Sequence, residues 1–165
     1  MTFRKQSSHR GKNPQAQISW WHRKMLLMPL TDTCIRDLSL RSHLALVASG
    51  YPGSDRHSVM WLARVVYVAF FLQERSRSDS SLSMFVAAEE ALDRTVLRAE
   101  ETGVWQLMRD DIEVLKPVLR IYDQELASAT NGCIAEADAS LRRLLASPHC
   151  ESPLRASLRD RHRMV

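Results

Sequence analysis

Between Val59 and Leu72 the sequence reads VMWLARVVYVAFFL, fourteen residues interrupted in their apolar character only by Arg64. The run holds no Gly or Pro and is too long for an ordinary buried strand, which spans about five or six residues. A helix that is apolar on every side must be enclosed by other helices. It is also short of the roughly 20 residues a membrane-spanning helix needs, so no transmembrane segment is expected. The run therefore predicts an all-α fold built around one interior helix.

The flanking sequence supplies the surrounding helices. TDT at Thr31 to Thr33 offers capping side chains, and Ile35, Leu38, Leu40, Leu44 and Val47 follow as one apolar side until Gly50 and the turn YPGS. Ser54 and Asp55 open the interior helix, and the polar stretch Arg75 to Ser83 closes it. Phe85, Ala88, Leu92, Val96 and Ala99 give an amphipathic helix ended by Gly103. After WQL, Asp110 and Asp111 set negative charge at the positive end of a helix dipole, and Ile112, Leu115, Leu119, Tyr122 and Leu126 repeat at three- and four-residue spacing. Pro117 falls inside that helix and removes one hydrogen bond, that to the carbonyl of Glu113. Asn131-Gly132 reads as a break, and Ile134, Ala137, Leu141 and Leu144 mark a last helix. The expectation is an antiparallel bundle of about five helices with the second at its centre. Its boundaries are a disordered basic extension over 1–27, the bundle domain over 28–146, and a polar basic tail over 147–165.

Charge is distributed unevenly along this plan. Residues 1–30 hold six Lys or Arg and no acid, 31–145 carry a net −4, and 146–165 carry +2. An acidic body repels phosphate backbones, so any nucleic-acid contact is expected to be weak, non-specific and confined to the N-terminal arm. The three cysteines, Cys34, Cys133 and Cys150, have no paired spacing and suit a reducing, cytoplasmic setting.

Segments AAEEALDR, ETGVWQL and IYDQEL, in this order between residues 87 and 126, resemble parts of small all-helical proteobacterial proteins of unknown function. The resemblance implies a bacterial, accessory-gene origin and no activity, site residue or cofactor.

The residues that carry chemistry do not assemble into a known constellation. There is no HExxH, no EF-hand loop, no phosphate-cradling glycine loop and no G-x-S-x-G elbow. The carboxylates Glu89, Glu90 and Asp93, and Asp110, Asp111 and Glu113, could hold a divalent ion or work as acid and base. On amphipathic helices such groups ordinarily form a solvated face and a first turn that compensates the dipole. Arg64 needs water or a carboxylate, and Glu90 or Asp93 of the following helix is the expected partner in a buried ion pair. ISWWHRKMLLMPL, Ile18 to Leu30, offers Trp20, Trp21, Arg23 and Lys24 as an anion or nucleic-acid contact, since cations beside stacking rings suit single strands. As a membrane foot it has only three turns before Pro29. The favoured reading makes Met25 to Met28 the entrance to the fold, with its apolar side chains packed on the bundle.

No catalytic residue, metal site or cofactor is assigned on this reading. The leading function is a non-enzymatic protein-interaction module, regulatory or accessory, whose partner is another protein or a second copy in a homo-oligomer. The alternatives are a nucleic-acid-associated protein using its basic tails and an enzyme or metal-binding protein using a carboxylate cluster.

Overall fold

The structure is a computed structural model that describes residues 14–76, 82–147 and 151–157. Among the described residues it is helical throughout, without a named strand. The helices are α1 (Pro14–Leu27), α2 (Asp32–Ser49), α3 (Arg56–Ser76), α4 (Leu82–Thr102), α5 (Arg109–Ser128) and α6 (Asn131–Ala146), followed by a short turn of helix over 153–157.

Local sequence explains most of the boundaries. The Thr31 hydroxyl accepts from the Cys34 N–H at the start of α2, and the Asp55 carboxylate accepts from both the N–H and the hydroxyl of Ser58 at the start of α3. That backbone N–H, the largest influence on it, holds the Asp55 carboxyl below the usual carboxylate range. Gly103, at φ +74°, takes the left-handed conformation that ends α4, with its N–H donating to the Ala99 carbonyl. Helix α5 runs on through Pro117.

The core follows from the sides these helices bury. α3 packs against α2, α4, α5 and α6, and α5 against α2, α3 and α4. Val59, Leu62, Val66 and Ala69 of α3 and Leu115, Leu119 and Leu126 of α5 are removed from solvent altogether. The loop after Gly103 is tied in as well. The Leu107 N–H donates to the Ser49 carbonyl, Gln106 Nε2 to the Gly50 carbonyl, and the Ser54 hydroxyl to the Trp105 carbonyl. WQL thus seals the end of α2, and Leu107 is core.

Four expectations are corrected. Residues 14–27, placed in a disordered extension, form α1, which packs on α6; residues 1–13 lie outside the described residues. The break before the last helix falls at Ala129 and Thr130, not at Asn131-Gly132. The Thr130 hydroxyl caps α6 by accepting from the Cys133 N–H, and Asn131 and Gly132 lie in the first helical turn. Their job is to receive α1. The Asn131 side chain donates to the carbonyls of Met25 and Met28, its backbone N–H donates to Met28, and the Leu30 N–H donates to Ala129. Carbonyls left over at the end of α1 thereby meet donors at the start of α6, with the negative pole of one helix against the positive pole of the other. A Cβ at Gly132 would stand 2.8 Å from the Leu26 carbonyl oxygen, so this approach requires glycine.

The third correction concerns the end of the chain. In place of a polar tail over 147–165, Leu154 is fully buried and Arg155 reaches α4. A lone leucine among polar neighbours has no periodicity to announce it. Residues 148–150 and 158–165 lie outside the described residues. The fourth concerns α2. Of the apolar side read from its sequence, Ile35 and Leu38 pack on the core, while Leu40, Leu44 and Val47 are 55–58% exposed. The side that packs inward carries Ser42, Ala45, Leu46 and Ser49. Small side chains let α2 lie close to its neighbours, and each serine hydroxyl is satisfied within the helix, Ser42 donating to the Leu38 carbonyl and Ser49 to that of Ala45.

Candidate functional site

The outward side of α2 carries a line of exposed apolar side chains. Leu40, Leu44, Val47 and Tyr51 succeed one another at spacings of four, three and four, and Tyr51 is 64% exposed. From Leu40 to Val47 the stripe runs along α2 for roughly 10 Å, and Tyr51 follows just past the Gly50 cap. Along one flank runs a shallow groove between α2 and α3, lined by Arg41, Leu44, Ala45, Ala48, His57 and Trp61. The Arg41 guanidinium lies 3.6 Å from the centroid of the Trp61 ring and holds His57 Nε2 at 3.2 Å. Trp61 Nε1 donates in turn to the Ser42 hydroxyl, which fixes the groove floor. Charged positions flank the ends of the stripe: Arg36 is exposed before Leu40, and Asp55 is exposed beyond the YPGS turn.

The residues singled out from sequence fall in two other places. Trp20, Trp21, Arg23 and Lys24 are all exposed on α1. The two rings meet edge to face at 4.8 Å, and Lys24 Nζ stands 5.6 and 5.5 Å from their centroids. The expected packing of Met25 to Met28 is corrected: Met25, Leu27 and Met28 are 57, 78 and 47% exposed, and only Leu26 turns inward. At its end α1 is held by its Met25 and Met28 carbonyls, which accept from Asn131, and by Leu26 against Gly132.

Arg64 does not meet Glu90 or Asp93. Its guanidinium Nη2 donates to both oxygens of Asp138 on α6, at 2.7 and 2.9 Å, while Glu90 is exposed. Three residues further along α3, it is Tyr67 that faces α4 and donates to the buried Glu89. Arg155 completes this group by donating from Nε to Glu89 and from Nη2 to Asp93. The periodicity of α3 predicts that Arg64 needs an acid but not which helix lies on that side, and Asp138 carries no local signal that would single it out in the last helix.

The acidic clusters are divided by the fold. Asp111 is buried and accepts from Arg94 Nη2 at 2.6 Å. Glu113 is exposed and pairs with Lys116, whose hydrogen bond holds its carboxyl below the usual range. His43 Nε2 is 2.8 Å from Asp123 Oδ2 across α2 and α5. Among the described residues no three His, Cys, Asp or Glu side chains converge as metal ligands, and no helix is long and apolar enough to cross a membrane.

Two phenols respond to their surroundings. Burial, followed by the hydrogen bond to Glu89, raises the Tyr67 hydroxyl above the ordinary tyrosine value, and burial pushes Tyr122 up to about 12. A folded-state pKa above the unfolded one gives stability that is complete below the unfolded value, about 10, and is lost as pH climbs through the folded value. The melting temperature is therefore expected to begin falling near pH 10. Thermal melts between pH 7 and 12 check this, and Tyr67→Phe with Tyr122→Phe should flatten the alkaline decline.

Comparison with protein-family models, with curated proteins and with solved structures gives no match to this chain. Its function is therefore to be sought in its own surfaces.

Proposed function

We propose that the protein is a non-enzymatic helical interaction module, acting in a bacterial cytoplasm in a regulatory or accessory role, and that α2 is its docking helix. One observation carries this reading: a helix that turns Leu40, Leu44 and Val47 to solvent, with Tyr51 exposed just past its end, while burying two serines. Single exposed leucines are ordinary, but four large apolar side chains in one line, rimmed by charge, mark a contact surface. The antiparallel bundle with α3 at its hub serves, on this reading, as the rigid support that holds α2 straight.

The occupant we favour is a second copy. The spacing of four, three, four is the same in both directions, so two α2 helices laid antiparallel set Leu40 of each against Tyr51 of the other and Leu44 against Val47. In the same register Arg36 of one copy faces the Asp55 end of the other, giving complementary charge at both rims. The stripe alone is at the low end of what a specific interface needs, about 1,000 Å² in total, so a micromolar homodimer is expected, extended by the groove beside Trp61.

Light scattering or sedimentation over a dilution series tests the reading. The wild-type chain should move from dimer to monomer with dilution, and Leu44→Glu with Val47→Glu should be monomeric throughout with an unchanged melt, because both side chains are solvent-facing. A wild-type chain that stays monomeric at about 100 μM, well above such a dissociation constant, removes self-pairing. The stripe would then have to be assigned to the helix of a different protein.

A further inference from the structure

Helix α1 presents a second surface, independent of α2. At about 100° per residue, Leu27, Trp20, Lys24, Met28, Trp21 and Met25 fall in that order around an arc of about 160°, taking Met28 as continuing the helix. All six are exposed, while Leu26, on the opposite side, is held against Gly132. Arg23 stands exposed on the rim of the arc. Five large apolar side chains are thus turned away from the body. The Asn131 side chain, donating to the carbonyls of Met25 and Met28, and Gly132 against Leu26 hold α1 in this orientation.

We propose that this arc is a foot for an anionic lipid surface, lying in the headgroup region without spanning the bilayer. The side chains match the two properties of that solvent. Tryptophan favours the boundary between water and acyl chains, where its ring is buried and its N–H stays wet, and Met25, Leu27 and Met28 supply the apolar area that enters below it. Lys24 lies along the two indoles, so its ammonium can reach the headgroup phosphates while its stem remains in the apolar layer, and Arg23 meets them from the rim. The charge is complementary on the larger scale too, since the first thirty residues hold six cations and no acid. A single-stranded nucleic acid would use the rings and cations equally well. It has no use for three exposed aliphatic side chains beside them, and lipid accounts for the whole arc.

The test uses the full-length chain and sedimentation with vesicles of phosphatidylcholine and phosphatidylserine in equal parts, with phosphatidylcholine vesicles and an oligothymidylate as comparisons. Binding to the mixed vesicles is expected, with a blue shift of tryptophan emission. Arg23→Ala with Lys24→Ala should weaken it about 20-fold, and raised salt should weaken it as well. Trp20→Ala with Trp21→Ala should weaken it at least about tenfold and abolish the shift, Trp61 and Trp105 remaining as internal controls. Unchanged melting of both variants would attribute these losses to the surface. Absence of binding by the wild-type chain overturns the proposal, as does undiminished binding by the tryptophan variant. Oligothymidylate binding that needs Trp20 and Trp21, with the vesicles ignored, overturns it in favour of a nucleic-acid arm.

Discussion

Truncation after Ser147 is expected to destabilise the protein by about 5 kcal/mol, although it removes only the last eighteen residues. Leu154 is fully buried, and loss of a leucine from a packed site costs about 2–5 kcal/mol. Arg155 goes with it, so that Glu89, which is 5% exposed, loses its charged partner and keeps the hydrogen bond from the Tyr67 hydroxyl. A buried carboxylate deprived of a charged partner adds about 1–3 kcal/mol. For a domain of this size each kcal/mol is worth about 2–4 °C, so the melting temperature should fall by about 10–20 °C. Calorimetry on the truncated chain checks the sum. Leu154→Ala alone should account for more than half, since Arg155 is half exposed and its pairing is screened. A truncated chain that melts with the wild type would return residues 147–165 to the status of a tail.

Replacement of Arg94 by methionine should cost about 2 kcal/mol, a large effect for a side chain more than half exposed. The cause lies in its partner. Asp111 has a side chain only 6% exposed and accepts from Arg94 at 2.6 Å. Removing one member of a buried pair typically costs about 3–5 kcal/mol because the other charge is stranded. That figure is reduced here by solvent around Arg94 and by the N-terminal dipole of α5, which still favours the anion. Arg94→Met combined with Asp111→Leu should recover most of the loss, because no charge is then left inside. Denaturant midpoints for the two single variants and the double variant give the coupling directly. A neutral Arg94→Met would mean that Asp111 is held by α5 alone.

The helices themselves are largely legible in the sequence. Thr31, Gly50, Asp55 and Gly103 act on their own local backbone, and the boundaries they set are those observed. The helical and largely buried character of residues 59–72 is equally plain, although Met60 within the run is 45% exposed. Rotation and neighbourhood are not legible in the same way. Periodicity says that α2 has an apolar side but not how far along the helix that side stays inward: Ile35 and Leu38 pack on the core, and beyond them two serines able to bond their own helix take the inner place. The partner of Arg64 depends on which helix lies beside it, which no local pattern encodes. Leu154 and Asn131 escape notice for a related reason, as each acts through long-range contacts alone. The α2 stripe therefore reads as core in the sequence, while Trp20, Trp21, Arg23 and Lys24 stand out there without the arc that Met25, Leu27 and Met28 complete.

The seating of α1 on α6 also sets how a load would travel through the molecule. If α1 is pulled, the described residues pass the force along the covalent chain at Met28 to Thr31 and through the bracket formed by Asn131 and Gly132. The bracket joins the end of α1 to the beginning of α6, and α6 is fastened to the interior by the two bonds between Asp138 and Arg64. Tension on α1 is thereby delivered to α3, which packs on α2, α4, α5 and α6, while the other branch enters α2 at its capped first turn. Helices α1 and α2 meet at residues 28–31, so a load on either is shared by this short tether.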